Sequence, residues 1–131
     1  MAMAYWIVFL GAGLGGAARH GINTLALRWL GTGSFPFGTL FINVLGSFFM
    51  GVVAEYFLVR MGVSQHLRLF LTTGILGGFT TFSAFSLEIA LMWQRGQTGQ
   101  ALAYALVSVT LGVAGLFAGL AIVRPFGGLT R

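Results

Sequence analysis

Apolar residues run through this chain in four long stretches, about Trp6–Leu30, Phe37–Arg60, Leu67–Trp93 and Ala101–Val123. A helix needs roughly 20 apolar residues to cross the hydrocarbon core of a bilayer, and each stretch is long enough. The connections Gly31–Pro36, Met61–His66 and Gln94–Gln100 are short and hydrophilic or glycine-rich. They leave no room for an extramembrane domain or a soluble active site. The pattern predicts an all-α membrane protein of four transmembrane helices, with residues 1–131 forming a single transmembrane domain. Tyr5–Ala18 could pass for a secretory signal, but a signal carries positive charge ahead of its apolar core. No Lys or Arg precedes Arg19, so this stretch reads as a retained first helix.

The third stretch is unlike the others. Gly74-Ile75-Leu76-Gly77-Gly78-Phe79-Thr80-Thr81-Phe82-Ser83 places three glycines and three hydroxyls near its middle. A helix interrupted there frees backbone N–H and C=O groups, which survive at membrane depth only where protein, water or an ion satisfies them. Freed carbonyls suit a bare cation, whereas amide N–H groups and hydroxyls suit an anion. An unbroken helix packed through its Gly-Gly pair accounts for the same composition. Elsewhere the glycines fall into stripes: Gly11, Gly15 and Arg19 on the first helix, and Tyr104, Ser108, Gly112, Gly115 and Gly119 on the fourth. Such stripes let membrane helices approach closely.

Composition narrows the class further. Hydrophobic residues make up 57% of the chain and charged residues 7%, with two acids against seven basic residues and a net charge of +5. A soluble domain is nearer a quarter charged. The basic residues do not form the patch that marks a nucleic-acid binder; Arg28, Arg60, Arg68, Arg95 and Arg124 sit singly at the ends of apolar runs. They can reach the lipid head groups from there. With no cysteine, disulfides, thiol nucleophiles and thiolate metal sites are excluded. Four spans put both termini on one side, with Arg60, Arg68, Arg124 and Arg131. The other side holds Arg28 and Arg95, or three arginines if Arg19 is counted. So slight a bias leaves open a protein that inserts both ways round.

A few polar residues inside the spans need their own account. Asn43 lies mid-span, with Thr39 and Ser47 one turn either side on the same face. Asparagine in a membrane helix is commonly glue between helices, yet a row of donors also suits a dehydrating anion. Arg19, beside His20, is the one Arg well inside an apolar stretch. It either snorkels to the head groups or sets positive charge at the mouth of an aqueous vestibule. Glu88 fits a proton carrier, an arginine's partner or an interfacial residue, the last two together favoured. Phe82 and Phe85 follow the glycine-threonine motif three apart, and an aromatic ring has a positive edge that can face an anion.

Three motifs then give a resemblance from end to end: Gly11-Ala-Gly-Leu-Gly-Gly-Ala-Ala-Arg19, Phe37-Gly-Thr-Leu-Phe-Ile-Asn43-Val-Leu-Gly46-Ser-Phe, and Gly74 through Glu88. With these the chain resembles the Fluc (CrcB) fluoride channels. His20 departs from the Tyr that many members carry. The resemblance implies an antiparallel (dual-topology) homodimer in a bacterial inner (plasma) membrane, with two fluoride pores and a structural Na⁺ at its centre. By motif position, Asn43, Phe82 and Phe85 would contact fluoride, with Thr39 further along the pore and Tyr104 and Ser108 on a polar track. Gly112 follows where another hydroxyl could extend that track. Gly77 and Thr80 carbonyls would hold the Na⁺, two from each subunit, and Arg19 would line a vestibule. The expected fold is thus all-α, its third helix broken mid-membrane into two half-helices meeting at Gly77–Thr80. The implied role is passive export: hydrogen fluoride enters as a neutral acid, ionises, and fluoride leaves down its electrochemical gradient, relieving toxicity.

Three other classes fit less well. A small proton-coupled multidrug exporter, also a four-helix dual-topology dimer, needs a carboxylate on its first helix. This chain has only Glu55, near the end of the second helix, and Glu88 in the third. A non-transporting assembly subunit would need only the glycine faces. An enzyme would need a convergent nucleophile, base and acid, and none is visible.

Overall fold

The computed structural model describes the chain apart from Thr32, Ser34, Met61 and residues 125–131, and apart from the Val59 side chain. Arg131, counted above for orientation, therefore lies outside the described residues. Helices α1 (Ala2–Leu30), α2 (Phe37–Val59), α3 (Gln65–Leu69), α4 (Gly77–Phe79), α5 (Phe82–Gln94) and α6 (Thr98–Val123) follow in order, with a π-helical stretch, Phe70–Leu76, between α3 and α4. The run from Gln65 to Gln94 acts as one span, so four helical spans are long and apolar enough to cross a membrane.

Local chemistry explains the ends. α1 stops at Gly31, whose φ of 78° only glycine adopts freely, and the Gly31 N–H donates to the Leu27 carbonyl at 3.0 Å. Pro36, which lacks an N–H, precedes α2, and its carbonyl accepts from Leu40 N–H. Ser64 caps α3 by accepting the His66 N–H at 3.1 Å. The spans overrun their apolar cores. The first and fourth begin at Ala2 and Thr98, not Trp6 and Ala101; the third covers Gln65–Gln94, and α2 ends one residue early at Val59. At the third and fourth spans polar residues extend the terminal turns. For example, the Gln97 carbonyl accepts the Ala101 N–H at 3.0 Å.

Glycine decides how the spans pack. A Cβ on Gly11 would come within 2.8 Å of the Phe70 carbonyl, one on Gly15 would overlap the Ile75 carbonyl, and one on Gly78 would overlap that of Ala12. Hence α1 lies backbone to backbone on the π-helical stretch and α4, running parallel to them. Gly51 and Gly119 do the same between α2 and α6, against Leu116 and Phe48. Asn43 reaches Thr81 and Thr39 reaches Glu88, so α2 and α5 run antiparallel. The small interior holds Ile42, Leu76, Phe79, Met92, Ala101 and Tyr104. Phe9, Leu14, Phe41, Leu106 and Phe117 point outward, as a lipid surround requires.

Helical geometry ends at Phe79 and resumes at Phe82. Thr80 (φ −80°, ψ 157°) and Thr81 (φ −150°, ψ 118°) between them are extended.

Candidate functional site

The extended pair is held from outside its own span. Asn43 on α2 donates from Nδ2 to the Thr81 carbonyl at 3.1 Å and accepts the Thr81 N–H on Oδ1 at 2.8 Å. The Thr81 hydroxyl caps α5 by accepting the Ala84 N–H at 3.2 Å, and it lies 3.3 Å from the Ser83 hydroxyl. In an unbroken helix the Thr81 N–H would serve the Gly77 carbonyl, and the Ala84 N–H would serve that of Thr80. Both donors are diverted to side-chain oxygens. The Thr80 N–H and hydroxyl still donate to the Leu76 carbonyl, each at 3.0 Å.

A cavity of 320 Å³ opens beside this joint, lined by Asn43, Ser47, Thr80, Phe82, Phe85 and Ser108 among others. Asn43 has one amide hydrogen left after bonding Thr81. Ser108 carries a buried hydroxyl with no hydrogen-bond partner among the described residues. Leaving such a group unsatisfied costs about 1–3 kcal/mol. Phe82 is 77% exposed, and its ring centroid lies 5.7 Å from that of the half-buried Phe85. Phe85 leans in turn on Tyr104, 5.1 Å away. Gly112 lines the same cavity one turn beyond Ser108 and supplies no hydroxyl.

Thr39 and Tyr104 meet elsewhere. The Thr39 hydroxyl donates to Glu88 Oε1 at 2.7 Å and the Tyr104 hydroxyl donates to Glu88 Oε2 at 2.8 Å. Thr39 and Tyr104 are buried, so Glu88 sits as a hub between α2, α5 and α6. The arginine-partner reading of Glu88 is corrected here: its bonding partners among the described residues are two hydroxyls. The signal for it lay in the polar faces of the second and fourth helices, each of which sends one hydroxyl to this carboxylate. A second cavity, of 550 Å³, reaches Thr39 and Glu88 past Asn23 and Phe35. Arg19 is half-exposed on α1 and lines neither cavity, so the structure does not bring it to the other candidates. Glu55, the other acid, is buried at the far end of α2, with Arg124 Nε 3.6 Å from its Oε1.

Comparison with known proteins places the chain in a family. The family model of CrcB-like protein, Camphor Resistance (CrcB), matches residues 6–120. The Fluoride-specific ion channel FluC of Granulibacter bethesdensis is 61% identical over 122 residues, covering 93% of this chain and 95% of that protein. That of Rhodopseudomonas palustris (strain BisB5) is also 61% identical, over 93% of this chain and 98% of its own. That of Hyphomonas neptunium is 50% identical over 92% and 94%. A match of this extent leaves no span of the four unaccounted for, and the chain belongs to the CrcB family, as a multi-pass bacterial membrane protein.

Proposed function

We propose that this chain is a fluoride channel, conducting the ion passively out of the cytoplasm through two pores in an antiparallel homodimer in the bacterial inner membrane. The relatives named above are fluoride-specific ion channels. The observation that carries the reading to this chain is the buried hydroxyl of Ser108, without a partner among the described residues, on the cavity shared by Asn43, Phe82 and Phe85. Fluoride must be offered replacements for the water it sheds. The spare amide hydrogen of Asn43, the hydroxyls of Ser108 and Ser47, and the positive edges of the two rings are such replacements, and none carries a full charge. A narrow pathway lined with small donors favours the small anion over chloride. The membrane potential, negative inside, drives fluoride outward, and no energy source is needed. Cytoplasmic fluoride falls as a result.

Thr39 and Tyr104 continue the pathway beyond the rings. As placed, both hydroxyls donate to Glu88, so a fluoride ion passing there displaces the carboxylate from them. Arg19 would serve a vestibule only where the assembled dimer brings it to one.

The Gly77 and Thr80 carbonyls suit a hard monovalent cation. Both are neutral oxygens relieved of the donors a continuous helix would supply. One chain offers two such ligands and a second copy would add two more, so Na⁺ would neutralise the carbonyl dipoles where two broken third helices meet mid-membrane. Lipid cannot satisfy such a joint, and Phe82 projects from beside it, which is why a second copy is the fitting cover.

Purified protein in liposomes loaded with fluoride should release it quickly under a K⁺/valinomycin gradient while chloride stays trapped. Absent fluoride release, or equal release of both anions, would overturn the reading.

A further inference from the structure

The loop between α2 and α3 carries a cavity that the conduction pathway does not use. Its volume is 250 Å³, and its lining includes Arg60, Arg68, Gln65, Phe57 and Leu58. Arg60 follows the end of α2 in an extended conformation, its guanidinium carbon 5.3 Å from the centre of the Tyr56 ring. That contact steadies a side chain that would otherwise range freely at the membrane surface. Arg68 comes from the first turns of the third span, so two segments each contribute one arginine to the lining of a single small cavity.

Neither of the chain's two acidic side chains is there to balance them. Glu55 is engaged with Arg124, and Glu88 with Thr39 and Tyr104. An anion lying between two like charges on one cavity is attracted by both. Guanidinium groups match phosphate oxygens in geometry and bind them bidentately. A cavity of 250 Å³ has room for a phosphate group with its nearest waters.

We infer that this cavity binds the headgroup phosphate of an anionic phospholipid. Its position selects a lipid over free phosphate: it lies at the end of two spans, at headgroup level, with Phe57 and Leu58 on its wall to meet the glycerol and upper acyl chains. The absence of a carboxylate among the described residues of the lining selects an anionic lipid over a zwitterionic one. The headgroup cation of phosphatidylcholine would find two guanidiniums and no counter-charge.

Native mass spectrometry of the detergent-solubilised full chain, supplied with phosphatidylglycerol or phosphatidylcholine, tests this. Wild type should retain phosphatidylglycerol preferentially. The double variant Arg60→Gln/Arg68→Gln should retain it roughly tenfold less or weaker still. Arg95→Gln, at the other end of the molecule where the Arg95 side chain donates to Gln97, should bind as wild type does. Excess inorganic phosphate should not displace the lipid. If the double Gln variant loses its helical circular dichroism, Arg60→Lys/Arg68→Lys serves instead, expected to bind more weakly because it keeps the charge and loses the fork. Equal retention by wild type and the folded double variant overturns the inference. So does an equal loss in Arg95→Gln, which would mean a diffuse surface field. Equal binding of phosphatidylcholine, or displacement by inorganic phosphate, overturns the lipid assignment.

Discussion

Asn43 and Ser108 share a cavity but divide its work, and substitution should separate them. Asn43 spends one donor and one acceptor on the Thr81 backbone, so its amide is structural before it is anything else. Asn43→Asp sets a carboxylate oxygen against the Thr81 carbonyl and should lower both the melting temperature and fluoride flux. Ser108→Ala removes a hydroxyl that bonds no described residue, so the melting temperature should hold or rise slightly. Flux should nevertheless fall roughly ten- to a hundredfold, the value of one hydrogen bond to a charged group. Parallel losses of flux and stability in Ser108→Ala would show that the hydroxyl has a structural partner. The sequence singled out Asn43, Phe82, Phe85 and Ser108, and the structure brings these four to one cavity. It could not show that Thr39 and Tyr104 converge on Glu88, because Thr39 lies 49 positions from that carboxylate and no local spacing reports such a contact. Nor could it show Asn43 bracing Thr81, 38 positions away.

Between elements, glycine sets the distances. An alanine at Gly15 or Gly78 would drive its methyl into backbone on the facing span, where no side chain can rotate aside. Overpacking of this kind costs about 1–3 kcal/mol. Each variant should therefore melt lower in detergent, while Gly13→Ala, which meets nothing within 4 Å, should match wild type. The four-residue glycine spacing was legible in the sequence because a helix places such positions on one face. The first turn at Thr98 was not, since hydropathy tracks lipid contact and not helical hydrogen bonding. The π-helical stretch was equally hidden: it is a change of hydrogen-bond partner, seen where the Gly77 N–H reaches the Thr72 carbonyl, and it leaves no compositional mark.

For the molecule as a whole, the small Arg asymmetry becomes testable through a feature of the composition. The chain has no cysteine, so a single one at Gly99→Cys, an exposed position in the first turn of α6 with open space around it, reports orientation without background. An antiparallel assembly should let a membrane-impermeant maleimide label about half of the copies in intact cells and the rest only after permeabilisation. Labelling that is complete or absent in intact cells would mean one orientation and no antiparallel dimer. A further consequence follows from the π-helical stretch. It holds one residue more than an α-helix of equal hydrogen-bond count, and one residue turns a helix by about 100°. Upstream of it, Leu69 and its neighbours keep one angular phase; downstream, the Thr81 and Glu88 positions keep another. Losing a single residue from Phe70–Leu76 would leave a well-formed helix of ordinary hydropathy whose later half points the wrong way. Mutational drift can exchange side chains in this segment, but changing its length is a change of phase, felt at Asn43, Thr39 and Tyr104 alike.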